Sequence, residues 1–190
     1  MKKFLMFAMA LVMALPLALT SCSDDDDENG GSNDSKVSIK VEGQTATFGY
    51  VYWNIDDEDL NLSNGKHYYQ LEFWDFNFYA GKFPKKMSMF YLGFLADGST
   101  DALPTGTFND YALSGALNMS QTDEEGTYFE RDLNKSGKLV ITKDGNNYTI
   151  TIEPLYIISG DEDENNTTTT LTSLKYTGSI PKAPKKSWED

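Results

Sequence analysis

The chain has one cysteine, one histidine and one arginine among its 190 residues, and each scarcity excludes a class of protein. One cysteine excludes a disulfide framework and a cysteine-based zinc site, and one histidine excludes a metal site built from several histidines. Only 16 basic residues stand against 29 acidic ones, which gives a formal charge of −13 at pH 7. Nucleic acid is therefore not an expected partner, because phosphate neutralisation needs clustered Lys and Arg.

Long apolar runs are also absent downstream of the N-terminus, so no later segment is expected to cross a bilayer as a helix. The N-terminus begins with Lys2 and Lys3, continues with an apolar stretch over residues 4–19, and has no acidic residue before position 24. This order is typical of a secretory signal peptide, which we assign to residues 1–21. A transmembrane anchor would need about 20 apolar residues and a basic flank, whereas the flank here, residues 24–28, is acidic.

The end of the apolar stretch reads Leu19-Thr20-Ser21-Cys22, which resembles the lipobox of bacterial lipoproteins. The resemblance implies cleavage before Cys22 and transfer of a diacylglycerol to its sulfur. The alternative is an ordinary signal peptide with a chance cysteine. We favour the lipobox, because the only cysteine of the chain falls at this position. Two or more acyl chains anchor a protein stably to a membrane.

The sequence SDDDDE at residues 23–28 resembles the export signal that sends Bacteroidota lipoproteins to the outer face of the outer membrane. The resemblance implies a lipid-anchored protein of the outer membrane that faces the cell surface. The alternative is a solvated acidic spacer on a lipoprotein of the periplasmic face. Residues 23–35 contain no apolar side chain, so residues 22–35 are predicted to be the lipidated cysteine and a flexible acidic tether.

Residues 36–180 read as one domain made of strands. Val37, Ile39 and Val41 alternate with polar residues, a tight turn is expected at Gly43-Gln44, and residues 45–53 and 67–79 are each predicted as one strand. The strongest hairpin joins residues 137–143 to residues 148–152 through an Asp-Gly turn. About 8–10 short strands without a convincing helix predict an all-β fold, either a single antiparallel β-sandwich or a closed, lipocalin-like β-barrel. Residues 181–190, rich in Pro and Lys, are predicted to leave the core as a C-terminal tail.

Four segments are similar to the C-terminal half of many small Bacteroidota lipoproteins of unassigned function. They read LPTGTF at 103–108, GKLVIT at 137–142, DGNNYTITI at 144–152 and YTGSI at 176–180. Such domains tend to be β-sandwiches or lipocalin-like barrels, so the resemblance supports the all-β prediction and implies no particular activity.

The most unusual segment is FWDFNFY, residues 73–79. Its aromatic rings alternate with Asp75 and Asn77, a combination found in carbohydrate sites, where a ring stacks on the sugar face and polar groups bond its hydroxyls. Either a bulge shifts the register of this strand or both of its faces are covered. The candidate ligand-binding residues are Trp53, Trp74, Asp75, Asn77 and Tyr79, and the hypothesis predicts an exposed ring near Trp53, Trp74 or Tyr79. The alternative is that the rings only form core.

Residues 132–139 resemble the first half of a calcium loop, with Asp132, Asn134 and Ser136 at alternate positions and Gly137 after them. The loop departs from that motif at its last ligand position, where Lys143 replaces a glutamate, and a polar turn is the favoured interpretation. The acidic runs at residues 56–59 and 161–166 are interpreted as solvated loops. Because these loops are interpreted as polar turns and solvated loops, we expect no metal. No phosphate-binding Gly-rich loop is present in the domain, so we expect no cofactor either.

An enzyme is not expected, because His67 has no nucleophilic Ser or Cys in a suitable context. A carboxylate-based hydrolase stays open, with Glu72, Asp75 and Glu153 as the only acids in apolar surroundings and thus the candidates for a raised pKa. The favoured function is that of a surface-anchored, non-enzymatic lipoprotein that binds an extracellular ligand, possibly a glycan. Two alternatives are a structural or assembly lipoprotein that docks on an outer-membrane protein complex through a sheet edge, and a carrier that holds an apolar small molecule among side chains such as Met87 and Met89.

Overall fold

The computed structural model describes residues 35–56, 65–120, 126–160 and 167–184. They belong to one compact unit, Gly31–Asp190. The signal peptide, Cys22, most of the acidic tether, the acidic loop at 161–166 and Trp188 all lie outside the described residues. In the part of the chain that is described, no helix is long and apolar enough to cross a membrane.

The described residues form eleven strands and one short 3-10 helix, so the all-β prediction is confirmed. The short helix is Phe78–Ala80. The strands are β1 (Val37–Val41), β2 (Gln44–Phe48), β3 (Tyr50–Ile55), β4 (Lys66–Trp74), β5 (Lys86–Asp97), β6 (Gly106–Phe108), β7 (Tyr111–Ser120), β8 (Thr127–Arg131), β9 (Leu139–Asp144), β10 (Asn147–Ser159) and β11 (Thr168–Gly178).

Nine strands form one antiparallel sheet in the order β3-β4-β5-β7-β8-β10-β9-β6, with β11 along the other side of β10. Strand β10 belongs to two layers: its first half pairs with β9 and its second half with β8, with a register shift between Ile152 and Leu155. Rings from the two layers meet at Phe94 and Phe108, whose centroids lie 4.3 Å apart. The described strands β3, β6 and β11 do not pair with one another, so the sheet is not closed. Of the two predicted architectures, the β-sandwich is therefore supported and the closed barrel is wrong.

Aromatic rings fill the space between the layers. The Phe73 and Phe90 rings stack with centroids 4.1 Å apart, and Phe48 meets Phe90 edge-on at 4.8 Å. Phe48 belongs to the hairpin β1–β2, which forms its own two-stranded sheet and places Val37, Ile39 and Val41 in the same core. Removal of these large apolar surfaces from water is the main favourable contribution to folding.

Two local predictions need correction at the start of the domain. The hairpin turn lies at Glu42 and Gly43, both with positive φ (49° and 81°), one residue earlier than predicted. Residues 45–53 are not one strand, because the chain changes sheets at Gly49, whose N–H donates to Trp74 O at 3.2 Å. By contrast, the hairpin of β9 and β10 is confirmed, with Asp144 paired to Asn147 around the Asp-Gly turn.

The predicted tail begins later than residue 181. Trp53 N–H donates to Pro181 O at 3.1 Å, Ala183 N–H donates to Trp53 O at 2.7 Å, and Lys182 forms a parallel bridge with Trp53. Residues 181–183 therefore cover the outer edge of β3, which satisfies backbone groups that an edge strand would otherwise present to other chains.

Candidate functional site

The site is built on the face of β3, β4 and β5 that points away from the main core. Strand β4 ends at Trp74, five residues earlier than predicted, and residues 75–85 fold back against the sheet before β5 begins. We call residues 75–85 the aromatic lobe. Its first residue is fastened to β5 twice: Asp75 N–H donates to Ser88 O at 3.1 Å, and Ser88 N–H donates to Asp75 Oδ2 at 2.8 Å. Both faces of β4 are buried over residues 71–74, as one of the two expectations had it, but residues 75–79 are not part of the strand.

Four rings of the lobe form one cluster, and two of them, Phe76 and Phe78, contact Trp74. Phe78 stacks on Trp74 with centroids 4.1 Å apart, and Phe83 meets Phe78 edge-on at 5.5 Å. Phe76 meets Phe83 at 5.8 Å, and Tyr79 meets Phe78 at 5.2 Å. Trp74 and Phe78 are buried, whereas the outer rings of Phe76, Tyr79 and Phe83 are only half-buried. The lobe is thus a small second core whose outer rings reach the surface.

A buried carboxylate lies beneath the lobe. Glu72 stands between Tyr52 of β3 and Tyr91 of β5 in the strand register and is 3% exposed. One oxygen, Oε2, accepts hydrogen bonds from Trp74 Nε1 at 3.1 Å and from Tyr79 Oη at 3.0 Å. The other, Oε1, accepts one from Asn54 Nδ2 at 2.5 Å. Because a buried carboxylate is tolerated only when it is hydrogen-bonded, these three donors account for its place in the sheet.

Three tyrosines around Glu72 keep their protons over the physiological range. Burial raises the pKa of Tyr79 and Tyr91, and the nearby Glu72 carboxylate raises both further. The pKa of Tyr52 is raised first by burial, then by Tyr50 and Glu72. Their hydroxyls therefore remain available as donors. Tyr79 donates to Glu72, and Tyr52 donates to Asn77 Oδ1 at 3.3 Å.

The acids singled out for apolar surroundings differ in the structure. Burial raises the pKa of Asp75, although the Ser88 N–H bonded to its carboxylate opposes the shift. Glu72 is enclosed, whereas Glu153 is exposed at the irregular part of β10. Glu72 is therefore buried as expected, Asp75 is exposed but has the raised pKa that was expected, and Glu153 is exposed.

Four of the five predicted ligand-binding residues lie together. Trp74, Asp75, Asn77 and Tyr79 belong to the lobe or its base. Trp53 pairs with Leu71 and so points to the opposite face of the sheet, where its ring lies 6.2 Å from that of Tyr69 and Lys182 Nζ lies 5.2 Å from its centroid. It cannot share a binding surface with the other four. Trp53 and Trp74 are 4% and 1% exposed, so the expected exposed ring is found at neither, and Tyr79 is the only one of the three that reaches the surface.

Four residues of this site were not predicted from the sequence: Tyr52, Asn54, Tyr91 and Phe83. Tyr50, Tyr52 and Asn54 occupy alternate positions of one strand. This two-residue alternation could have indicated a face of the strand that carries polar and aromatic side chains. Tyr91 and Phe83 carried no local signal, because only strand pairing brings Tyr91 beside Glu72 and only the return of the lobe brings Phe83 onto Phe78.

The calcium-like loop forms a turn from its own side chains. Asp132 Oδ1 accepts the Asn134 N–H at 2.9 Å, and this bond lowers the pKa of Asp132. Ser136 Oγ donates to Tyr156 O at 3.1 Å and accepts the Tyr156 N–H at 3.0 Å. The described residues contain no group of three or more His, Cys, Asp or Glu side chains that could hold a metal ion.

A shallow, open depression of about 400 Å³ lies at the other end of the sheet order, along β6 and β9. Strand β6 pairs only with Leu139–Ile141, so it covers half of β9. Residues 105–107 and 140–143 line the depression. It is remote from the lobe in the strand order and contains no acidic side chain in its lining.

Comparisons of the chain with protein-family models, with curated proteins and with solved structures found no match.

Proposed function

We propose that this protein is a lipoprotein anchored through Cys22 to the outer membrane of a Bacteroidota bacterium, with its β-sandwich on the cell surface binding an extracellular glycan without catalysis. The lipobox at 19–22, the acidic run at 24–28 and the stretch without apolar residues at 23–35 support the anchoring. The aromatic lobe supports the binding.

One observation carries the binding proposal: the lobe presents half-buried rings beside polar groups on a rigid base. Phe76, Tyr79 and Phe83 offer ring surface, and Asn77 and the exposed Asp75 offer an amide and a carboxyl group. Rings stack on the apolar faces of sugars while amides and carboxylates bond the hydroxyls. Because Trp74 and Glu72 already fix the rings from below, little conformational entropy would be lost on binding.

The hydrogen bonds of the Glu72 carboxylate favour a ligand-binding function of the site over a catalytic one. A general acid or base must reach the substrate within hydrogen-bond distance. Glu72 is 3% exposed, and both its oxygens accept hydrogen bonds from side chains of the site. We assign it the role of holding Tyr79 and Asn54 in place.

A glycan screen tests the proposal, with the full chain in detergent and tryptophan fluorescence as the readout, in the presence and absence of Ca²⁺. Trp74 reports on the lobe because it stacks on Phe78. We expect a saturable fluorescence change with at least one polysaccharide, weakened at least tenfold in Phe83→Ala and Asn77→Ala.

Tyr156→Ala is the matched control, since Tyr156 is a half-buried ring on β10, outside the lobe. It is expected to bind as the unchanged chain does. Equal weakening in all three variants, or no response to any glycan, contradicts the proposal.

A second function is favoured by the depression along β6 and β9. In the described residues β6 leaves the outer edge of residues 142–144 without a strand partner, and such an edge can accept a strand from another protein. Docking on an outer-membrane protein complex is therefore the alternative proposal. Site-specific crosslinking from position 143 on intact cells would capture a defined partner if it is correct.

The carrier of an apolar small molecule is the least supported of the three functions. The Phe48, Phe73 and Phe90 rings are in direct contact in the space between the layers, where such a carrier would keep its ligand. Met87 and Met89 are also buried.

A further inference from the structure

Three lysines lie close together at the end of the aromatic lobe. Lys82 and Lys85 belong to the lobe, and Lys86 follows as the first residue of β5. All three side chains are exposed. Residues 75–86 contain these three lysines and one acidic residue, Asp75, whereas the whole chain has a formal charge of −13. The lobe is therefore a cationic region on an acidic protein.

The ammonium groups of this cluster are open to a ligand. In the part of the chain that the structure describes, no ion pair and no contact between a cation and a ring involves any of the three. Lysines elsewhere do have such contacts. Lys135 Nζ lies 3.4 Å from Asp132 Oδ2, and Lys143 Nζ lies 4.9 Å from the centroid of the Tyr148 ring.

The lysines flank a ring that reaches the surface. Phe83 follows Lys82 directly, is half-buried, and lies 5.5 Å from Phe78 and 5.8 Å from Phe76 between ring centroids. Five consecutive residues span at most ~14 Å, so the three cations and the outer rings are within reach of one chain-like ligand. Such a ligand lies along an exposed surface and needs no enclosed cavity.

We propose that the aromatic lobe binds an acidic polysaccharide, whose sugar rings stack on Phe83 and its neighbours while its anionic groups pair with the lysines. This inference rests on the proposed glycan-binding function and names the class of glycan. An ammonium group is a compact point charge without the planar fork of a guanidinium, so it pairs with a carboxylate or with a sulfate. The shared chemistry is a sugar polymer that carries anionic groups.

The net charge of the protein does not oppose binding at this position. Exposed charges farther apart than about 8 Å are largely screened at physiological ionic strength, so the lysines and the nearest carboxylates dominate. Of those carboxylates, Asp75 accepts the Ser88 N–H, and Glu72 is buried and hydrogen-bonded. Acidic surface elsewhere repels a polyanion, which directs the polymer toward the lobe.

An anionic membrane is the other partner that lysines and aromatic rings would suit. Membrane contact requires an apolar face that enters the region of the lipid headgroups. In the lobe, Phe78 is buried, the outer rings are half-buried, and the exposed carboxyl group of Asp75 stands among them. These observations favour the polysaccharide, and lipid binding is an outcome of the test.

Two pairs of polymers with matched backbones test the preference for charge. Polygalacturonate is compared with its methyl ester, and dextran sulfate with dextran, by tryptophan fluorescence of the full chain in detergent with EDTA. At low ionic strength we expect the charged member of at least one pair to bind about tenfold more tightly, because three exposed ion pairs of modest strength add up. High salt should remove most of this difference.

The two pairs also identify the anionic group. A preference within the first pair alone assigns carboxylates, one within the second pair alone assigns sulfates, and a preference within both assigns anionic polysaccharides in general.

A pair of double variants locates the preference. Lys82→Met with Lys85→Met should lower the affinity for the charged polymer to that of its uncharged partner. Lys138→Met with Lys175→Met is the matched control, because it removes the same charge from exposed positions outside the lobe. The control should keep the preference, which separates a local effect of the lysines from an effect of net charge.

Three results would overturn the inference: equal binding within both pairs of polymers, equal loss of preference in the two double variants, or a fluorescence change with phosphatidylglycerol in the micelles and with neither charged polymer. If a neutral glycan of the wider screen binds at the lobe in any of these cases, the glycan-binding function stands and only the acidic class is wrong. If no glycan binds at all, both proposals are wrong.

Discussion

At the scale of the residue, Glu72 connects two strands, β3 and β4, with the lobe through a single carboxylate. Its three donors come from β3, from β4 itself and from the lobe. Hydrogen bonds to a charged acceptor are stronger than those between neutral groups, and loss of the acceptor leaves several buried donors without partners. The stability of the lobe is therefore expected to depend on this one side chain.

Glu72→Gln keeps the shape of the side chain and replaces one acceptor oxygen with a donor. The variant is expected to lose about 2–3 kcal/mol of unfolding free energy, because at least one of its three donors then faces another donor. Urea unfolding measures the loss. Glu130→Gln, on the exposed face of β8, is the control and should stay within about 0.5 kcal/mol of the unchanged chain. Equal losses in the two variants would contradict the role of Glu72.

Alkaline pH should destabilise the fold through buried tyrosines. Burial raises the pKa of Tyr68 from 10.0 to about 12, with contributions from Asp56 and Asp110. A phenol whose pKa is raised in the folded state contributes stability that is complete below pH 10 and is lost between pH 10 and about 12. The loss is about 1.4 kcal/mol per pH unit for this group.

The measurement is urea unfolding at pH 9, 10, 11 and 12 for the full chain and for Tyr68→Phe. The difference between the two chains should appear only above pH 10. Parallel curves over the whole range would show that Tyr68 ionises as readily in the folded state as in the unfolded one.

At the scale of the element, a glycine within a strand and a glycine between two strands have opposite steric requirements. Gly115 of β7 lies where the chain passes close to β5 and β8: a Cβ there would be 2.4 Å from Met89 O, 2.5 Å from Phe90 Cβ and 2.8 Å from Phe129 Cζ. Gly49, between β2 and β3, has no neighbouring atom within 4 Å of such a Cβ. Gly115 is thus required by strand packing, although from the sequence it reads only as a weak point in a strand.

Gly115→Ala is expected to cost about 3 kcal/mol of unfolding free energy, since one of the clashing atoms belongs to the backbone of β5 and cannot rotate away. Gly49→Ala, the matched control, should change it by less than about 1 kcal/mol. Chemical denaturation of both variants gives the comparison. A Gly115→Ala variant as stable as Gly49→Ala would mean that β5 and β7 lie farther apart than described.

At the scale of the whole molecule, the proposed anchor and the proposed binding domain are expected to make separate contributions. Membrane attachment is assigned to Cys22 and sorting to residues 24–28, whereas ligand binding is assigned to the folded domain. Substitutions in the first 28 residues should therefore change where the protein is found without changing what it binds.

Cys22→Ser is expected to move the protein from the membrane fraction to the soluble fraction of its host, because the acyl chains have no attachment point. Replacement of Asp24, Asp25, Asp26 and Asp27 by Asn should keep the protein in the membrane fraction but protect it from protease added to intact cells. Neutralisation of the acidic run at 161–164 is the control and should leave both fractionation and protease sensitivity unchanged. Retention of Cys22→Ser in the membrane would contradict lipid anchoring.

Local patterns predicted the parts of the fold that depend on neighbours in the chain. The alternation of Val37, Ile39 and Val41 and the Asp-Gly turn before Asn147 specify strands and a hairpin over short distances, and both are found. The sequence also indicated that four candidate residues lie in one region, because they are close together in the chain: Trp74, Asp75, Asn77 and Tyr79. The break at Gly49 did not, because residues 45–53 carry a continuous strand pattern and only the hydrogen bond to Trp74 O shows the change of sheet.

By itself the sequence determined the class of fold, one all-β domain after a predicted signal peptide and tether, because composition and period are local properties of the chain. Only the tertiary structure decided between sandwich and barrel, since closure depends on whether edge strands pair across long sequence distances. It likewise decided that Trp53 lies apart from Trp74, that Tyr91 approaches Glu72, and that Arg131 is buried against Tyr111. These features depend on strand register and on the return of the lobe, which arise from packing across the whole domain and have no signature in any single segment.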